Sequence, residues 1–177
     1  ARFVKANTGN GCAKEKHSGF FLQFMVYLRQ YRNTDKGGKT MSQTLTITAE
    51  QMLASAERIR EDIVRDRRTL HAAPEVGTDL PNTVACVKKR LLEMGYQPRE
   101  LAGGVVAEIT GTETGRCLLL RADMDALRVT EQTGLDFASA NGCMHACGHD
   151  MHAAMLLGAA KLLREYQGEL NGTVKLV

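Results

Sequence analysis

The chain has 177 residues, 44% of them hydrophobic and 24% charged, with a net charge of +3. That length suits one domain with a real core, and that balance excludes a disordered or fibrous chain. Residues 1–40 hold eight Lys/Arg against two Asp/Glu, and the remainder fifteen against eighteen, but the basic residues are scattered rather than blocked together, which argues against a nucleic-acid partner.

Residues 1–40 read unlike the rest: rich in Gly, Asn and Lys, then an isolated aromatic cluster, then Asp35-Lys36-Gly37-Gly38-Lys39-Thr40. The apolar run Phe20 to Leu28 spans nine residues with Gln23 inside it, well below the roughly 20 needed to cross a bilayer. No small-residue cleavage site follows, so neither a membrane span nor a signal peptide is predicted. Gly37-Gly38 can be encoded by a purine run resembling a ribosome-binding site just before Met41. We therefore expect translation to start at Met41, with residues 1–40 a non-native upstream extension and 41–177 the domain portion. The five cysteines, Cys12, Cys86, Cys117, Cys143 and Cys147, are an odd count without a secretory signal, which predicts reduced thiols and a cytoplasmic location.

From Thr48 the pattern is helical, with Met52, Ala56, Ile59, Ile63 and Leu70 on one stripe, and predicts one amphipathic helix of about five turns. Pro74 closes the stretch that follows, since the residue before a proline avoids helical geometry. A second helix is predicted from Pro81 to Met94, with Val84, Val87, Leu91 and Met94 inward and Gly95 as the stop. The period then changes. Val105 to Ile109 and Cys117 to Leu120 read as two strands of a hairpin turned at Gly111 to Gly115. A third helix is predicted from Asp150 to Tyr166, apolar on most faces, and a last strand begins at Thr173. Helices alternating with apolar strands predict an α/β sandwich with active-site loops at strand ends. The end at Leu176-Val177, without turn chemistry, suggests truncation.

Two motifs carry chemistry. His145, Cys147 and His149 alternate in a glycine-containing loop that feeds a helix, and a loop can turn such residues toward one point. Thiolate and neutral imidazole are ligands that Zn²⁺ and related divalent ions prefer. Asp150 follows as a helix cap or as a carboxylate that orients an imidazole. The plain alternative, a buried thiol and ordinary loop histidines, suits any one of these residues better than it suits the three together. The second motif, Arg121-Ala122-Asp123-Met124-Asp125-Ala126-Leu127, follows a strand, where a carboxylate can serve a metal or its histidine ligands; a loop with two solvated acids is the competing account.

These motifs resemble the metal-dependent aminoacylase/carboxypeptidase-type amidohydrolases, especially the hippurate hydrolase and auxin-conjugate hydrolase branch. The resemblance covers about residues 58–177. It rests on Arg67-Arg68-Thr69-Leu70-His71-Ala72-Ala73-Pro74-Glu75, on Leu120 to Leu127, and on Met144 to Asp150 continued by His152 and the helix from Met155 to Ala160. It implies the N-terminal part of a three-layer α/β/α di-metal hydrolase catalytic domain, ending before an inserted dimerisation domain. It further implies two divalent metals per complete site, Zn or Mn, with Cys147 and His149 as ligands. Asp125 would be the catalytic-site carboxylate, and Asp123, His145, Asp150 and His71 would be supporting residues. The implied reaction is hydrolysis of N-acyl amino acids by metal-activated water, in a homodimer, with neither nucleic acid nor membrane as partner. The chain departs from the family in carrying Arg128 where a proline is usual, and it stops before the family's acidic pair and later histidines. With two confident ligands it cannot fill one tetrahedral zinc site, so an inactive fragment with weak metal binding is the competing reading. A redox pair of Cys143 and Cys147 ranks lower, because three residues separate them rather than the two of a Cys-x-x-Cys motif.

Overall fold

A computed structural model describes residues 47–177; the basic segment 1–40, the run Phe20 to Leu28 and the expected start at Met41 lie outside the described residues. Helix α1 spans Ala49–Arg58 and α2 spans Arg60–Ala72. Thr48 opens α1 with a reciprocal cap: Gln51 N donates to Thr48 Oγ1 (3.2 Å) and Thr48 N donates to Gln51 Oε1 (2.8 Å), satisfying two amides that the first turn leaves without helical partners. The single helix expected here is divided at Ile59 (φ −95°, ψ 7°), although the ladder runs through it, with Ile63 N donating to Ile59 O (3.1 Å). Ile59 is 1% exposed and packs with Met52 and Leu162 in a small second core. Its burial is the one the apolar stripe predicts; only the helical dihedrals are interrupted.

Helix α3 spans Pro81–Glu93, with Pro81 in its first turn and Val84, Val87 and Leu91 buried, as predicted. The strands are β1 (Arg99–Leu101), β2 (Gly104–Thr110), β3 (Glu113–Leu120) and β4 (Asn171–Leu176); helix α4 (His149–Glu165) lies between β3 and β4 in sequence. In the sheet the order is β1-β2-β4-β3. The hairpin expected between β2 and β3 is therefore incorrect: β4 is inserted between them, antiparallel to β2 (Ala107 opposite Leu176) and parallel to β3 (Leu120 opposite Leu176). The true hairpin joins β1 to β2 through Ala102 (φ 50°) and Gly103 (φ 80°), the two left-handed residues a tight two-residue hairpin turn requires.

The link from β2 to β3 wraps the start of β4. Thr112 N donates to Leu170 O (3.1 Å) and Gly111 N to Gly172 O (2.9 Å), so amides that a hairpin would have paired across β2 and β3 are spent on β4. Gly172 (φ 114°) sits at this crossing, where a Cβ would fall 2.2 Å from Arg116 O. Only glycine admits both that dihedral and that approach.

Val105, Ala107 and Ile109 of β2 and Val174 and Leu176 of β4 form one buried face, packed with Leu157 and Ala160 of α4 and Val84, Val87 and Leu91 of α3. Full burial of such a side chain contributes about 1.5–3 kcal/mol. The mixed α/β class is present, and of the three layers expected the described residues supply the sheet and one helical layer. On the opposite face Leu119, beside Lys175, is 58% exposed.

Candidate metal centre

Beyond β3 the chain runs extended through the acidic motif. Val177 N donates to Leu120 O (2.9 Å) and Ala126 N to Glu75 O (2.7 Å). Leu127 and Met144 then form an isolated antiparallel bridge, each amide donating to the other's carbonyl (3.0 and 2.9 Å). That bridge registers the acidic motif against the loop holding His145, Cys147 and His149. Gly148, in the left-handed conformation (φ 87°), turns the loop into α4.

His149 opens α4, and its Nδ1 lies 2.9 Å from Asp125 O and 3.0 Å from Asp125 Oδ1. Both atoms are acceptors, so Nδ1–H donates and Nε2 is left with its lone pair for a ligand role. A carboxylate or carbonyl on one imidazole nitrogen fixes the tautomer and ring orientation of a metal-binding histidine. The ring also stacks on His152, with centroids 5.9 Å apart. Cys147, two residues earlier, is exposed. Asp123 points elsewhere and pairs with Arg121.

Behind this loop lies a buried polar cluster. His71, near the end of α2 and 2% exposed, donates from Nδ1 to Asp150 Oδ2 (2.7 Å) and from Nε2 to Glu131 Oε1 (3.0 Å). Arg67 Nε donates to the same Asp150 oxygen (2.9 Å). The Arg67 guanidinium and the His71 ring face two carboxylates, an arrangement that offsets the cost of burying them. Glu131 also accepts from Thr133 Oγ1 (2.5 Å) and Ser139 N (2.7 Å). The Thr133 hydroxyl first, then His71 and the Ser139 amide, pull its carboxyl down to about 2. The same loop lays Phe137 against the cluster: the Arg67 and Arg68 guanidinium carbons sit 5.2 and 4.9 Å from its ring centre, and the His71 ring meets it edge-on at 5.5 Å.

The three alternating loop residues therefore diverge. His145 is turned into the core, 5% exposed, with its ring centre 6.3 Å from that of His71 and neither ring nitrogen hydrogen-bonded. Burial, foremost, pushes its pKa down. Among the described residues the Asp150 side chain neither caps α4 nor hydrogen-bonds His149; the imidazole it orients is that of His71. Among the described residues no three His, Cys, Asp or Glu side chains gather into a group able to hold a metal. Cys147 and the free Nε2 of His149 offer donor chemistry suited to a divalent ion, but as part of a coordination shell. Cys143 and Cys147 are both free thiols.

Arg67, Glu131 and Phe137 were not singled out by sequence reasoning. Arg67 lies in a recognised motif without an assigned role, and Glu131 and Phe137 fall in an irregular stretch whose partners are distant in sequence. The Glu75 carboxylate accepts from Asn82 N (3.2 Å), Asn82 Nδ2 (2.8 Å) and Thr83 N (2.8 Å), capping α3 across the turn. Burial alone would raise its pKa, but the Thr83 and Asn82 bonds bring it below the usual value. Arg128 is exposed.

Residues 119–177 match the model of Peptidase family M20/M25/M40. Over 141 residues the chain is 43% identical to an N-acetyl-L-cysteine deacetylase of Bacillus subtilis, covering 78% of this chain and 34% of that protein. It is 37% identical to an N-acyl-L-amino acid amidohydrolase of Geobacillus stearothermophilus, covering 74% and 36%. Among solved structures, the YXEP protein of Bacillus subtilis, described as a dinuclear metal binding peptidase from the M20 family, superimposes with a TM-score of 0.63 at 41% identity, over 70% of this chain and 35% of that one. The chain thus spans about a third of the length of the curated relatives it matches. Among the described residues no helix is long and apolar enough to cross a membrane.

Proposed function

We propose, from the match of residues 119–177 to the model of Peptidase family M20/M25/M40, that this chain contributes part of the metal site of an amidohydrolase acting on N-acyl amino acids. The observation that carries this reading is the His149 ring: Asp125 takes its Nδ1–H, and Nε2 is left as a donor two residues after the exposed Cys147. Cys147 and His149 would hold the ion, Zn or Mn, two per complete site. A bound divalent ion supplies Lewis acidity for an amide carbonyl and a water acidified toward about 7. Asp125 keeps the imidazole in the tautomer that can ligate. His71 and Asp150 act from behind, and Asp123 stands at the rim with Arg121. The amide substrate class is supported by the names of the two bacterial relatives; the acyl group is left open. The odd count of five cysteines supports a reducing, cytoplasmic setting.

The coverage of only about a third of each relative favours a second statement: this chain by itself binds metal weakly and does not hydrolyse, and turnover belongs to a protein that supplies the remaining ligands, in the expected homodimer. Alkylation of the thiols of the 177-residue chain, with and without Zn²⁺, followed by mass mapping, tests the first reading. Cys147 is expected to be protected and Cys117 not. Equal labelling of Cys147 in both conditions would overturn it. Release of an amino acid from N-acetyl-L-cysteine by this chain alone would overturn the second.

A further inference from the structure

We propose that His71 is a positioning residue for the metal-binding loop, and that it acts through one of its two nitrogens. The inference rests on the metal-site reading above. Helix α4 begins at His149 after Gly148, and no side chain caps it. Its first turn is held by Asp150, 1% exposed, whose Oδ2 receives His71 Nδ1–H at 2.7 Å and Arg67 Nε–H at 2.9 Å. Neighbouring residues on a helix point about 100° apart, so fixing Asp150 inward sets the rotation of the turn that presents His149 outward to Asp125. The other nitrogen does different work. Nε2–H meets Glu131, whose remaining bonds go to Thr133 and Ser139 of its own loop; that arm fastens the loop around residues 131–139 and has no bond to the helix carrying His149.

The two arms can be cut separately. An asparagine amide nitrogen falls near the Nδ1 position of a histidine, and a glutamine amide nitrogen near Nε2. His71→Asn therefore keeps the tie to Asp150 and loses that to Glu131, whereas His71→Gln does the reverse. Co²⁺ is titrated into the full 177-residue chain and followed by its thiolate-to-cobalt absorption, with thermal unfolding measured in parallel. His71→Gln is expected to weaken Co²⁺ binding about tenfold, the scale seen when residues supporting a metal ligand are removed, and His71→Asn about twofold. Both variants are expected to unfold earlier than the parent. A second pair leaves His71 in place: Asp150→Asn should follow the glutamine variant, and Glu131→Gln should follow the asparagine one. A purely structural role lowers the unfolding midpoints but leaves Co²⁺ affinities equal within each pair, and that result overturns the proposal. If the parent chain binds no Co²⁺, the metal-site reading itself fails and this inference falls with it; binding by the parent with equal affinities in the variants refutes only the positioning role.

Discussion

Replacing Asp125 with alanine removes one of the two acceptors that hold the His149 ring and leaves the other. The carboxylate bond at 3.0 Å goes, while the backbone carbonyl of residue 125, at 2.9 Å from Nδ1, stays. A hydrogen bond to a charged group contributes about 1.5–3 kcal/mol, but the Asp125 side chain is 41% exposed, so solvent screening reduces that contribution. The retained carbonyl still selects the right tautomer. The expected loss therefore falls just below that range, about 1.4 kcal/mol or tenfold in metal affinity. Asp123→Ala is the matched control, since among the described residues Asp123 bonds only Arg121 and both side chains reach solvent; its effect should stay within about 0.5 kcal/mol. Competition of each variant for Co²⁺ against a chromophoric chelator gives the two numbers. Equal losses from the two substitutions, or no loss from Asp125→Ala, would refute the assignment of Asp125 as the carboxylate that orients His149.

Gly172→Ala should destabilise the fold by about 2–6 kcal/mol, combining a dihedral of 114° with a Cβ placed 2.2 Å from the Arg116 carbonyl. Gly168→Ala, with nothing within 4 Å, should change stability by less than about 0.5 kcal/mol, and urea midpoints compare the two. The Glu131 carboxyl, lowered in the folded chain to about 2 from 4.5, contributes stability that is complete above the unfolded value and disappears as pH falls from 4.5 toward 2. Urea midpoints across that window should fall more steeply for the parent chain than for Glu131→Gln; parallel curves would remove Glu131 from the account of acid unfolding.

The elements legible in the sequence were those whose signals are local. Pro81, the spacing of Val84, Val87 and Leu91, and Gly95 locate α3 almost to the residue, and the apolar run after His149 locates α4. What escaped was decided by residues far apart in the chain. Nothing near Gly111 announces that its amide will bond Gly172 rather than a facing strand, so two successive apolar strands read as a hairpin. Ile59 is buried as the stripe predicts, but its dihedrals (φ −95°, ψ 7°) divide the helix there, which periodicity does not see. At the candidate site the pairing of motifs was readable, and the Leu127–Met144 bridge is its physical form. The direction of each side chain was not: alternation in a loop predicts convergence, yet His145 turns inward and His149 outward. His71, Asp150 and Glu131 meet only after α2, the loop and α4 have packed, and no spacing rule connects them.

The position of β4 in the sheet also governs the order in which the chain can fold during synthesis. Strands β2 and β3 leave the ribosome early, yet each has β4 as its inner neighbour, and β4 follows only after α4 has been made. Until then both strands carry open edges beside an uncovered apolar face, the condition in which chains associate with one another rather than fold. The pairing of β3 with β4 closes a loop across the entire candidate metal segment, a long-range contact that slows folding. The nascent chain thus spends its most vulnerable interval with the residues from Asp125 to His149 already translated and the strand that anchors their surroundings still to come.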